Sequence, residues 1–560
     1  MGSTPLSSPY SGKLLVQIIE EKAKWTPGHI YIRYPSKNWE TDGYRSITWA
    51  DFADSINKAS FWLDHQLGKS KNQDTIAYLG PNDIRYSILL SAAVKSDRKL
   101  LVPDGRVTKE GLMSLIETTN CSAWVYAEDD DSLSKAIGVF DTDLKLCALP
   151  SIEWCLDSKA HQNYPYTKTF EEAKMDVVNI IHTSGTTGIP KPIYNTNGYY
   201  SCLHSVHDLS RKHWPRGITY DSWVGKSMIN ACPPQWLGGM AAYLLLPVFM
   251  DTSCIVTPSD ISGLPPAVFK KLVEMNIAEG ILCPPHTITQ LYNDPETQPL
   301  LKSRKFIIYI GAGLEKTVGD DLATHTKVSS IIGSTENGPQ ISVQSLDRRL
   351  WHTHSYVPES GGRMVQISGP GVAVDSPDDL YELVLDRPKE GANLYQSAWW
   401  NPMWDGIDMI ETKELYRPVK DSDGKTRWAM AGRKDDLTKL SWLAKFHATD
   451  VEMRIKRHSD VHHVFVGGEG QPTPYVLVEP KDGVLSKKSA DALLDEIYTN
   501  VVVQMNKAGV EEIRIPKETV LIAKEHKPFK MSNKQTLIRK EIEKDYAEEI
   551  KEAYARLSVK

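Results

Sequence analysis

Several features that would settle a function quickly are missing from this chain. Its 560 residues hold only seven cysteines, odd in number and scattered, with no Cys-x-x-Cys pair. That excludes a disulfide framework and a thiolate zinc site, and it fits reduced thiols in a cytoplasmic protein. No charged stretch followed by an apolar core opens the sequence, and Leu6 stands where a myristoylation signal needs Ser or Thr. The most apolar stretch, Gly238 to Met250, is too short to span a bilayer and reads as a buried core helix. A net charge of -6 without any basic tract argues against nucleic acid. Neither a membrane nor a nucleic acid is therefore expected as a partner. The Walker A pattern is absent, and Gly311-Ala-Gly313 has Lys316 where a dinucleotide fingerprint needs its third glycine. Internal repeats and low-complexity segments are lacking too.

What is present is an ordinary globular composition, 41% hydrophobic and 24% charged, in a chain long enough for two or more domains. Short apolar runs alternate with helical patterns. The runs include Asp74 to Tyr78, Leu100 to Val102, Ser122 to Tyr126, Val177 to His182, Cys254 to Val256 and Phe306 to Ile310. Asp83 to Val94 and Lys109 to Thr118 read as helices. Continuous apolar runs suit strands covered on both faces, so the fold class is α/β with layered sheets and helices. The character changes near the polar stretch Gly424 to Asp436, whose end, Gly432 to Asp436, has a solvated linker as its simpler reading. Beyond it come a strand pair (Val461 to Val466, Tyr475 to Glu479), a helix (Asp491 to Met505), a strand (Glu518 to Ala523) and a charged terminal helix (Glu541 to Leu557). The expected division is a large N-terminal domain over 1–432 and a small, mobile α+β domain over 433–560.

The richest stretch is Val177 to Lys191, where a hydrophobic strand empties into hydroxyls and glycines closed by Pro190 and Lys191. Gly185 and Gly188 let backbone amides approach phosphate oxygens, while Ser184, Thr186 and Thr187 add hydroxyl donors beside Thr183. Lys191 supplies a charge that can neutralise leaving pyrophosphate. A plain solvent-exposed turn is the simpler alternative, because Gly, Ser and Thr are common in turns.

His182 to Lys191 resembles the signature loop of the adenylate-forming superfamily, which includes acyl- and aryl-CoA synthetases, firefly luciferase and nonribosomal peptide synthetase adenylation domains. The likeness runs from about residue 15 to the C-terminus, nearest in look to fungal synthetase-like adenylation domains. It implies ATP and Mg²⁺, with a small carboxylic acid activated as acyl-AMP. It implies that Thr335 in Gly333-Ser-Thr-Glu-Asn-Gly338 meets the α-phosphate, that Glu336 holds the metal, and that Gly311, Ala312, Ser330 and Ile331 border ATP. Glu414 takes the ribose position, with Asp408 an alternative. Arg433 reaches ribose or phosphate, and Asp435 is the pivot of the small domain. Lys534 matches the catalytic lysine, with Lys530 an alternative. The site is expected between the two domains.

This chain departs from the pattern in places. Ile332 replaces an adenine-stacking aromatic residue, Glu414 an aspartate, and Gln535 a glycine. In Leu440 to His447, Trp442, Leu443 and Ala444 stand where relatives carry a hairpin that lets pantetheine pass. Trp236 replaces a histidine beside the pantetheine path. The likeness places Trp236, Leu237, Ala241, Gly311 and Ile331 around the acyl group. Leu237 cannot pair with an α-ammonium, and an unpaired buried ammonium is costly, so an aryl or other non-amino acid is expected. Neither a carrier segment nor a reductase fingerprint is read here, so the acceptor stays open: CoA, a carrier thiol, or a small-molecule amine in an amide or ester ligase. A nucleotide-binding protein that has lost catalysis is the third reading.

Overall fold

The computed structural model describes residues 12–105, 107–130, 144–157, 162–183, 190–261, 263–367, 380–388, 395–434, 437–441, 445–508, 513–531 and 537–557. The chain divides into two compact units. One holds Met1–Asp379, Leu383–Thr412 and Arg417–Met430; the other holds Leu380–Glu382, Lys413–Tyr416 and Ala431–Lys560.

Two large sheets dominate the first unit. One orders its strands Lys145–Leu149, Cys121–Ala127, Asp74–Leu79, Arg98–Leu101, Val177–Thr183 and Lys191–Thr196; only the last pairing is antiparallel. The other orders Gly338–Gln340, Lys327–Ser334, Phe306–Ile310, Gly280–Cys283, Ser227–Asn230, Ser253–Val256, Ile30–Pro35 and Tyr44–Thr48. Its interior is parallel and each edge is a hairpin. Alternate residues feed different cores. Ile76, Tyr78 and Leu100 enter the main cluster while Ala77, Leu79 and Leu101 enter a smaller one. Likewise Leu282 and Ile308 face the main cluster, and Ile281, Ile307 and Tyr309 face another. Burial on both faces is why these strands read as unbroken apolar runs, and the layered α/β expectation holds. Gly238 to Met250 is helical with a π-turn at Ala241–Leu245, and its Met240 to Met250 side chains are buried except Ala241.

Within the polar stretch Gly424 to Asp436, Thr426–Arg433 is a strand of a five-stranded sheet ordered Thr353–His354, Thr426–Arg433, Met409–Lys420, Tyr381–Asp386 and Gly362–Gln366. Arg427 on that strand is 2% exposed, and its guanidinium donates to Thr353 Oγ1 (2.8 Å), Thr353 O (3.1 Å) and Val343 O (3.2 Å). Hydrogen bonds of this kind let a polar residue occupy a core position.

The second unit centres on a sheet of Val461–Gly467, Tyr475–Pro480 and Val520–Ile522. Val464, Val466, Val476 and Val478 line one face; Phe465, Tyr475 and Leu477 line the other with Phe529 and Tyr546. The expected terminal helix is two, Arg539–Asp545 and Ala547–Leu557, parted at buried Tyr546. All seven cysteines are buried thiols, and no described helix is long and apolar enough to cross a membrane.

Candidate active site

The first sheet ends in a hairpin, Val177–Thr183 against Lys191–Thr196, with Thr183 opposite Lys191. Ser184, Gly185, Thr186, Thr187 and Gly188, between those strands in sequence, lie outside the described residues. Both flanks are anchored. His182 Nε2 accepts the Asp104 N–H at 3.0 Å. Pro190 packs so closely on Gly111 that a Cβ there would come within 2.8 Å of Pro190 Cδ. Lys191 is exposed, and among the described residues no hydrogen bond or ion pair engages its ammonium.

The second sheet presents a three-residue turn, Thr335-Glu336-Asn337, between Lys327–Ser334 and Gly338–Gln340. Gly338 closes it at φ 73°, the left-handed conformation such a loop requires. At Gly333 a Cβ would lie 2.4 Å from Gly338 O, so the hairpin needs glycine on both strands. Three buried or half-buried groups hold the turn by its backbone. The Tyr199 hydroxyl donates to Thr335 O at 3.0 Å; Asn401 Nδ2 and Trp404 Nε1 donate to Glu336 O at 3.1 and 3.3 Å. Asn401 is itself fixed, its Oδ1 accepting the Met403 N–H at 3.2 Å. Among the described residues, neither the Thr335 hydroxyl nor the half-buried Glu336 carboxylate has a hydrogen-bond or ion-pair partner. A fixed turn that leaves carboxylate and hydroxyl oxygens open is a donor set fit for a hard divalent ion such as Mg²⁺.

Gly311, at φ 85°, begins the turn after Phe306–Ile310, and a Cβ there or on Gly313 would meet nothing within 4 Å. Ala312 is exposed beside it. Ser330 is less open: its hydroxyl shares a 3.1 Å hydrogen bond with His354 Nε2. It borders a cavity of about 260 Å³ with Lys327, Trp351, Thr353 and Arg427, and neither Thr335, Glu336 nor Lys191 lines that cavity. Leu237, Ala241 and Ile331 lie half-buried on the main core cluster. Trp236 is fixed, its Nε1 donating to Asp104 Oδ2 at 3.0 Å. Asp104 thus joins Trp236 to the strand Val177–Thr183.

In the second unit Glu414 is 9% exposed and accepts the Tyr416 hydroxyl at 3.0 Å. Burial pushes its carboxyl up from the usual range, opposed by that hydrogen bond and by the Arg433 charge. Arg433 is exposed, and the neighbouring Lys434 pairs with Glu382 at 2.7 Å. Asp408, the ribose alternative in the first unit, is exposed. Lys530 pairs with Glu541 and Asp545 at 3.3 and 3.0 Å. Asp435, Lys534, Gln535, Trp442, Leu443 and Ala444 lie outside the described residues. Sequence reasoning missed Asp104, Tyr199, Asn401 and Trp404, which act through contacts distant in the chain.

A layered α/β unit whose two sheets each offer a motif hairpin, with a small C-terminal domain, defines an adenylate-forming enzyme. The chain belongs to the AMP-binding enzyme family: residues 19–374 match that family, and residues 435–558 match the AMP-binding enzyme C-terminal domain. It is 26% identical over 558 residues to a carboxylic acid reductase of Neurospora crassa, covering 98% of this chain and 51% of that protein. It is 27% identical over 567 residues to the isocyanide synthase-NRPS hybrid crmA of Aspergillus fumigatus, covering 99% of this chain and 34% of the hybrid. The chain therefore spans about half of the first relative and about a third of the second. Among solved structures, ATP-bound MatB from Rhodopseudomonas palustris superposes with a TM-score of 0.70 at 15% identity, covering 96% of this chain and 100% of that one. The anthranilate CoA ligase AuaEII with anthranoyl-AMP gives 0.68 at 14% identity, covering 95% and 96%. At such identities the structural likeness concerns the fold.

Proposed function

We propose that this enzyme activates an aryl or other non-amino carboxylic acid as acyl-AMP and then passes the acyl group to a thiol, CoA or a carrier. A carboxylate oxygen of the acid attacks the ATP α-phosphorus in line, the bond to the β-bridging oxygen breaks, and pyrophosphate leaves with the electron pair. The observation that carries this reading is the Thr335–Asn337 turn, held by its carbonyls with hydroxyl and carboxylate open. Thr335 positions the α-phosphate and Glu336 holds Mg²⁺, which when bound offsets phosphate charge. Lys191 and the residues before it neutralise the leaving pyrophosphate, and positioning plus charge neutralisation supply most of the catalysis. Gly311, Ala312, Ser330 and Ile331 border the nucleotide; Glu414 and Arg433 bind its ribose end. Residues 1–432 bind ATP and acid; 433–560 carry Lys534, which bridges the acid carboxylate and α-phosphate, and turn about Asp435 between half-reactions. Leu237, with Trp236, Ala241, Gly311 and Ile331, supports the choice of a non-amino acid.

The amide or ester ligase remains a second reading because Asp104 fixes the Trp236 indole where relatives carry a histidine. Both readings meet one experiment, acid-dependent exchange of labelled pyrophosphate into ATP across aryl, alkyl and amino acids. Exchange with aryl acids is expected; CoA, a carrier and amines then compete for the acyl group. No exchange on any acid, with ATP binding intact and Lys534→Ala identical to the parent, overturns the proposal in favour of lost catalysis.

A further inference from the structure

Away from the adenylation motifs, the second unit gathers three metal-ligating side chains on its sheet. His462 and His463 are consecutive on the strand Val461–Gly467, and consecutive residues of a regular strand point to opposite faces. Here the register shifts: Val461 pairs with Pro480 and His463 with Glu479, so one extra residue is accommodated between them. Both imidazoles consequently reach one carboxylate. His463 Nδ1 lies 2.8 Å and His462 Nδ1 3.5 Å from Glu479 Oε2. The two rings stand 3.9 Å apart, centroid to centroid. One ligand atom from each of the three residues falls within 4.8 Å of the other two. The remaining carboxylate oxygen, Oε1, accepts the Phe529 N–H at 2.8 Å, the kind of outer hydrogen bond that orients a metal-ligating carboxylate.

A surface ion pair needs only one histidine; the bulge brings a second against the same oxygen.

We propose that His462, His463 and Glu479 bind a divalent transition ion of the zinc class, with water completing the coordination. Two imidazoles and a carboxylate are a donor set that Zn²⁺ and Co²⁺ accept. Binding replaces the His463–Glu479 hydrogen bond and leaves the Phe529 anchor on Oε1 in place. This site stands independently of the adenylation reading.

The test uses the full chain, free of any histidine tag and stripped of metal, titrated with Zn²⁺ by calorimetry and with Co²⁺ by visible absorption. One equivalent is expected to bind, with affinity at least about tenfold weaker in Glu479→Gln and in His463→Ala. Glu479→Gln keeps an acceptor for Phe529, so its fold is preserved and circular dichroism checks that. His458→Ala serves as control, since His458 instead pairs with Glu496 at 3.4 Å, and it should bind like the parent. No saturable binding with a Kd below about 100 μM, or binding that survives in both Glu479→Gln and His463→Ala, overturns the site.

Discussion

Tyr199→Phe isolates the one hydroxyl that holds the Thr335 carbonyl. The ring is 1% exposed and packs edge-on to Tyr200 at 5.2 Å, and phenylalanine keeps that packing and volume. What is lost is a 3.0 Å hydrogen bond, leaving a buried carbonyl short of a partner at a cost of about 1–3 kcal/mol. If about 1 kcal/mol of that appears as misplacement of the turn in the transition state, pyrophosphate exchange slows about fivefold. Because Glu336 is the next residue on the turn, the Mg²⁺ concentration giving half-maximal exchange should rise with it. Tyr31→Phe is the matched control: Tyr31 is fully buried and its hydroxyl also donates to a main-chain carbonyl, that of Tyr243, which belongs to neither motif. The two variants should lose similar stability in chemical denaturation, but only Tyr199→Phe should lose exchange rate and shift its Mg²⁺ requirement. Identical behaviour of the two, with exchange unchanged, would refute the assignment of the turn.

Lys191→Ala should lower exchange about 10²- to 10³-fold, the usual loss for a group that stabilises developing charge, with little change in denaturation midpoint because the side chain is exposed. Glu414→Gln should raise the KM for ATP yet stabilise the protein near neutral pH. The raised carboxyl pKa of Glu414 means its contribution is full below the ordinary value of about 4.3 and lost as pH rises through the folded value, so the variant's gain should vanish in acid. Burial and the Arg427 charge pull the His354 pKa down to about 3, so folding stability should fall by about 1.4 kcal/mol per pH unit as pH drops from about 6.5. His354→Gln should flatten that slope in urea titrations at stepped pH.

The parallel strands and the turn between Lys327–Ser334 and Gly338–Gln340 were legible because their signals are local. Phe306–Ile310 is apolar throughout since both faces are covered, and the turn after Lys327–Ser334 announces itself through Gly333 and Gly338. The supports were not legible because they are long-range: Tyr199 lies 136 residues from Thr335, Asn401 65 from Glu336, and Trp236 132 from Asp104. Nothing near Tyr199 or Asn401 in sequence marks either as a clamp. The strand Thr426–Arg433 lies within a polar stretch, and the three acceptors that seat Arg427 there are not visible in the sequence.

Both ATP motifs occupy places where a parallel sheet ends in an antiparallel hairpin, and the geometry explains the coincidence. A parallel connection needs a crossover of a dozen or more residues, whereas a hairpin returns within a few and keeps its flanks in the ladder. At Thr335–Asn337 the turn is thereby held by its backbone while the Thr335 and Glu336 side chains stay open among the described residues. Asp104 adds a link that a hairpin alone lacks. Its N–H fixes His182 on the strand Val177–Thr183, and its carboxylate fixes Trp236. On the proposed roles, choice of acid and placement of the phosphates then share one residue. Substitutions at Trp236 and His182 should therefore be non-additive in exchange rate, coupled through Asp104 although the two lie 54 positions apart in the sequence.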